Sequence, residues 1–292
     1  MTLVLGIAEP DIVFLVADTL LSSDLQIKGE EGPICGELHA LKIHILENGE
    51  TAVALAGDFA TALQCIRALI VQLVRDPTVD PTTVLSRELQ KSATLYPDRL
   101  SDFLVLEIGN GKRQLSRVDL NGVREVRAAY IGDPDEYANL RDLQALHPYV
   151  SPAQHVVQQL DGTFLASPMS ETNGEKSFAE ISLAMERLTS ARNSKTVGAI
   201  CGCVTRVINA RTSHKLEYLQ SKEASLTPWE GRSGFHYLAA NSGRRGVGIY
   251  YESGKLGFLM MAGDDTPCHK EKADSLESFI KIATMKFGLR LQ

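Results

Sequence analysis

The apolar stretches of this chain follow one another in an order that a parallel sheet cannot use. From the first residue onward, the pattern reads as strands, two helices, strands, two helices and strands again. A parallel sheet needs a crossover, usually a helix, between each pair of strands. The order here suits two antiparallel sheets packed face to face with a helical layer on each outer side. The expected fold is therefore α+β, a four-layer αββα sandwich of two antiparallel sheets.

The elements are read from periodicity and punctuation. Leu3–Ile7 and Ile12–Ala17 are apolar runs around a Glu9-Pro10-Asp11 turn, which predicts a hairpin opening the chain. After a polar loop with four glycines and prolines comes a second pair, Leu41–Leu46 and Thr51–Ala56, joined through Asn48-Gly49. Gly57-Asp58 opens a helix whose apolar positions Leu63, Ile66, Leu69, Ile70 and Leu73 recur at helical spacing. Asp58 suits its N-cap. A second helix is expected from Pro81 to Leu95, with Pro81 in its first turn. Strands at 102–108, 114–119 and 123–131 follow, then a helix near 135–146, a loop over 147–175 and a helix near 176–192. A strand is expected at 196–208. Beyond it the pattern gives strands at 215–219 and 235–239, a hairpin of 246–251 with 256–261, and a closing helix near 272–285. We expect residues 1–210 to form the core and 211–292 an elaboration packed on it.

Charge and composition exclude several classes. A net charge of −6 and a pI near 5.7 do not suit a nucleic-acid partner. No apolar run reaches the roughly 18 residues of a membrane span. The first charge is Glu9, so a basic leader of the secretory kind is not expected. The odd number of cysteines, Cys35, Cys65, Cys201, Cys203 and Cys268, reads as reduced thiols in a cytoplasmic protein. Cys201-Gly202-Cys203 and Cys268-His269 are weak metal signals, and neither a metal nor a cofactor is expected.

Four residues carry a chemistry together that none carries alone. Thr2 starts the first strand, Asp18 ends the second, Lys42 starts the third and Gly57 sits where a strand turns into a helix. Antiparallel neighbours bring starts beside ends, so the four are expected to meet at one sheet end. A threonine hydroxyl becomes a useful nucleophile when a base takes its proton, and a free α-amine on the same residue is such a base. An unperturbed α-amine titrates near 7.7–8.0. A lysine beside it would lower that value, and an aspartate would hold the lysine. The Gly57 N–H, at a helix start, would steady an oxyanion. Taken singly, the four read as a small second residue, a turn, an edge charge and a helix start.

On these residues the first 135 positions resemble the β-subunits of the proteasome and the bacterial HslV protease, which are N-terminal-nucleophile hydrolases. The matching stretches are Thr2-Leu-Val-Leu-Gly-Ile, Val16-Ala-Asp18-Thr, Lys42-Ile-His-Ile, Ala54-Leu-Ala-Gly57-Asp58 and Ala128-Ala-Tyr-Ile-Gly132. The resemblance implies a threonine-type peptidase once Met1 is removed, with no propeptide. Thr2 would be the nucleophile, Asp18 and Lys42 its supporting pair and Gly57 the oxyanion donor. It also implies peptide or unfolded-protein substrates and a homo-oligomer closed into a ring. The residues do not decide whether an ATP-dependent unfoldase feeds it.

The sequence departs from that pattern in its site residues, in a longer loop between Asp18 and Lys42, and in a tail beyond about residue 210 that lies outside the resemblance. Asp133 stands where the family carries serine, and Asn193 and Thr196 stand where it carries aspartate and serine. We expect Asp133 to supply the missing charge near the Thr2 amine. Leu21, Ala40, Leu55 and Phe59 occupy the pocket positions that the resemblance implies. All are apolar, which points to cleavage after apolar residues. An amidase or acylase on small substrates, and a non-catalytic structural subunit, remain the alternatives. His44 reads as packing or pocket lining.

Overall fold

The computed structural model describes residues 2–21, 38–109, 112–149, 155–158, 164–167, 172–190, 204–209, 214–219, 235–252 and 254–292. In chain order these form β1 (Leu3–Ala8), β2 (Val13–Asp18), β3 (Leu20–Leu21), β4 (Leu38–His39), β5 (Ile43–Ile45), β6 (Thr51–Gly57), α1 (Phe59–Arg75) and α2 (Pro81–Leu95). There follow β7 (Ser101–Gly109), β8 (Lys112–Asp119), β9 (Gly122–Val126), β10 (Ala128–Gly132), α3 (Pro134–Leu146), β11 (His155–Gln158), β12 (Phe164–Ser167) and α4 (Asn173–Ser190). The remainder is β13 (Val204–Asn209), β14 (Glu217–Tyr218), β15 (Phe235–Ala240), β16 (Gly246–Tyr251), β17 (Leu256–Met261), β18 (His269–Lys272) and α5 (Leu276–Phe287). The chain is α+β with antiparallel sheets throughout.

Two sheets of five strands carry the site. One has the order β10-β1-β2-β13-β14, the other β5-β6-β7-β8-β9. Alternation along the strands sorts their side chains by face. In β2, Val13, Leu15 and Ala17 join an apolar cluster shared with Ile43, Ala54, Leu104 and Leu115 of the second sheet. Phe14 and Val16 turn the other way, onto Met185 and Leu188 of α4. In β6, Ala54 and Ala56 face the shared cluster, while Val53 and Leu55 pack against Ile66 and Leu69 of α1. The small alanines lie where the two sheets approach; the larger residues lie under the helices. A third sheet, β15-β16-β17-β18, adds Ala239, Val247, Ile249 and Met260 to the shared cluster and is covered by α5 on its other face.

Helix starts follow the sequence closely. Asp58 caps α1 by accepting from Thr61 N at 2.8 Å, Asp80 caps α2 ahead of Pro81, and Asp133 caps α3 ahead of Pro134. Three expectations need correction. The run 123–131 is not one strand: β9 pairs with β8 and β10 with β1, so the chain changes sheets at Arg127. Side-chain pattern does not reveal which neighbour a strand bonds. The segment 147–175, expected as loop, contains the hairpin β11–β12. Val156-Val157 and Phe164-Leu165 are good strand formers, and their local preference prevails over the polar residues around them. The strand β18 lies where no strand is expected, because His269-Lys-Glu-Lys272 is polar, as suits a sheet edge.

Gly132 is where backbone freedom is needed. Its φ is +108°, and a Cβ there would fall 1.6 Å from the Thr2 carbonyl oxygen. That close approach seats the first strand against β10, where Leu3 lies opposite Gly132. Gly132→Ala should therefore lower stability by more than about 3 kcal/mol in urea unfolding, through strain and displacement of Thr2 together.

Candidate active site

Asp18 and Lys42 stand on different sheets, on the end of β2 and just before β5. Lys42 Nζ donates to Asp18 Oδ2 at 2.7 Å, and both side chains are wholly buried. The other carboxylate oxygen, Oδ1, accepts from the N–H of Leu3 at 3.2 Å. One carboxylate thus holds both the lysine and the peptide that follows Thr2. The sequence expectation placed the four residues at one sheet end. Instead Thr2 precedes β1 and Asp18 ends β2 of one sheet, while Lys42 precedes β5 and Gly57 ends β6 of the other, and the Asp18–Lys42 contact joins the two.

Thr2 is buried, at 5% exposure. Its carbonyl accepts from Asp133 N at 2.8 Å, so Asp133 is a backbone neighbour of Thr2. The Asp133 carboxylate accepts from Asp135 N at 2.9 Å and Glu136 N at 3.4 Å as the cap of α3. This is a second duty for the residue beside any it has at the Thr2 amine. Lys42 is tied to β6 through its carbonyl, which accepts from Leu55 N at 3.0 Å. Two residues further on, Gly57 ends β6 with φ +96° and an exposed surface; a Cβ would lie 2.2 Å from the Leu100 carbonyl oxygen.

The pocket positions divide. Ala40 is buried, Phe59 half-buried, and Leu55 is enclosed among Phe103, Leu69 and Leu85 beneath the helices. Leu21 stands on β3 opposite Leu38. Asn193 and Thr196 lie outside the described residues, as do Cys35, Cys201 and Cys203. Among the described residues, no three of His, Cys, Asp and Glu are grouped as metal ligands. No helix among them is long and apolar enough to cross a membrane.

Burial dominates the electrostatics. It pushes the Lys42 ammonium below the ordinary lysine range, against the pull of Asp18, which favours the charged form. His44, two residues on, is buried at 1% exposure, and burial lowers its pKa to about 4. Its Nδ1 accepts from Gly263 N at 3.0 Å, which makes it the neutral tautomer with its proton on Nε2. Nε2 has no partner among the described residues.

Two consequences can be measured. Between pH 6.5 and 4 the unfolded chain binds a proton at His44 that the folded chain refuses, so stability rises with pH across that window. The loss on acidification should reach about 3 kcal/mol by pH 4, and His44→Phe should flatten that part of the pH–stability curve in urea titrations. Lys42→Met or Asp18→Leu alone leaves a buried charge unpaired and should cost about 3–5 kcal/mol, whereas the double variant should cost less than either single change.

No family model matches the chain, and no curated protein matches it. Among solved structures it is similar to the Anbu (Gly-1) mutant from Hyphomicrobium sp. strain MC1, with a TM-score of 0.50 and 14% identity, over 74% of this chain and 84% of that one. These findings overturn the assignment to proteasome β-subunits and HslV. The five short stretches on which that resemblance rests are backed by no family-wide sequence pattern. What the likeness to Anbu shows is a shared fold.

Proposed function

We propose that this chain is an N-terminal-nucleophile hydrolase that cleaves peptide bonds, with Thr2 as the nucleophile after removal of Met1. The observation that carries the reading is the buried Lys42–Asp18 pair whose second carboxylate oxygen holds the Leu3 N–H, the peptide joined to Thr2. The fold shared with the Anbu (Gly-1) mutant is compatible with it. The same reading takes the two sheets and their helices as a four-layer αββα sandwich, residues 1–210 as the hydrolase core, and 211–292 as an addition to it. It includes a homo-oligomeric ring as the working form and bonds after apolar residues as the substrate.

The chemistry follows from the residues. The neutral Thr2 amine takes the proton from the Thr2 Oγ as the oxygen attacks the substrate carbonyl. The Gly57 N–H donates to the oxyanion that develops. The resulting ammonium returns its proton to the leaving amine, which departs and leaves an ester on Thr2. Water then attacks that ester as the amine takes its proton; the bond from the carbonyl carbon to Thr2 Oγ breaks, the ammonium returns the proton to Oγ, and the acid product is released. The Lys42 charge keeps the amine neutral at lower pH than an isolated α-amine would be, and Asp18 keeps Lys42 in place.

N-terminal sequencing of the purified protein should begin at Thr2, and a β-lactone should add one equivalent at that residue. Thr2→Ala should abolish both labelling and turnover of apolar peptides, while Thr2→Ser should keep a measurable fraction of both. The rate should rise with pH through a single ionisation below about 8. A retained first methionine, or turnover that survives Thr2→Ala, would falsify the proposal.

A further inference from the structure

We propose that Tyr218 is a positioning residue for Lys42: it ties the free edge of β5 to the sheet that carries Asp18. The inference deepens the hydrolase reading and rests on it for its consequence in catalysis. β5 is three residues long and stands at the edge of its sheet. Toward β6 its bonds are made around even-numbered positions: Leu55 N to Lys42 O at 3.0 Å, and Leu46 N to Thr51 O at 2.8 Å. In an antiparallel pair the intervening residues turn their N–H and C=O the other way. Ile43 and Ile45 therefore face the open edge, yet both are buried. Buried backbone groups need partners.

One phenol meets both needs. The Tyr218 hydroxyl accepts from Ile45 N at 3.0 Å and donates to Ile43 O at 2.8 Å. A single oxygen thus stands in for a neighbouring strand. Tyr218 is itself held on both backbone sides by Asn241, whose Oδ1 accepts from Tyr218 N at 2.7 Å and whose Nδ2 donates to Tyr218 O at 2.9 Å. Burial keeps the phenol protonated, so it remains a donor.

The connection closes a circuit. Tyr218 lies on β14, paired with Val207 of β13, and β13 in turn pairs Val204 with Asp18 of β2. From Asp18 the path runs through β13 and β14 to the Tyr218 hydroxyl, into β5, and back to Asp18 through Lys42. The ion pair and the phenol are two struts between the same two sheets. With the phenol in place, the residue just before β5 meets Asp18 at a set separation. Without it, the outward-turned N–H of Ile45 and C=O of Ile43 lose the partner that ties them to the other sheet.

The test uses the full chain labelled with 15N-lysine. The Lys42 ammonium resonance is assigned by its disappearance in Lys42→Met. Tyr218→Phe removes one oxygen, and should shift or broaden that resonance. It should also lower kcat roughly tenfold while KM stays within about twofold, because displacement of a catalytic group weighs on the chemical step. Tyr250→Phe is the control. Its hydroxyl is as deeply buried and donates to Ala273 O at 2.9 Å, in the third sheet under α5. It should leave the resonance and kcat unchanged. If Tyr218→Phe does not fold, Asn241→Ala, which frees the Tyr218 backbone but keeps the phenol, should move the same resonance. An unmoved Lys42 signal in these variants, or an equal change in Tyr250→Phe, overturns the proposal. Turnover that survives Thr2→Ala would instead overturn the hydrolase reading, and the resonance would still decide the strut.

Discussion

Everything at this site depends on a charge pair that two sheets share. Asp18 and Lys42 are each fully enclosed, and neither would be tolerated there alone. Their contact requires that the end of β2 and the start of β5 stay within reach of one lysine side chain. The alanines of β6 suit that approach, and Gly132 seats Thr2 within its own sheet. Small side chains let the sheets approach, and the missing Cβ at Gly132 lets the first strand lie against β10.

A buried ion pair is weak ground for stability, because desolvation consumes most of what the attraction supplies. Its value here is directional. A carboxylate with one oxygen on Lys42 and the other on the Leu3 N–H fixes a cation next to the beginning of a strand. An α-amine in that place would feel the cation as a like charge. The same burial that makes the pair costly also leaves its field unscreened by water. Cost and usefulness therefore come from one cause.

The third sheet belongs to the same physics. It contributes to the apolar cluster between the two five-stranded sheets, and the N–H of Gly263 donates to His44 on the strand after Lys42. Tyr218 satisfies the edge of that strand. Residues far along the chain thus brace the three-residue strand beside the proposed catalytic lysine. An edge strand of that length gains little order from its own pairing.

Local signals were enough for much of this. Capping aspartates, prolines at helix starts, Asn-Gly turns and alternating runs predict α1, α2, α3 and the paired strands β5–β6 and β16–β17 close to where they lie. Asp18 and Lys42 are expected as neighbours because an aspartate and a lysine at strand ends suit each other, and the structure pairs them. Tertiary structure decided the rest. That Asp18 and Lys42 sit on different sheets, that β9 and β10 part at Arg127, that Leu55 faces helices, and that a phenol 175 residues from Ile43 closes an edge are long-range facts. Periodicity records which face of a strand is apolar. It carries no record of which neighbour lies beside that strand, and hydrogen-bond partners across a sheet edge are set by tertiary packing.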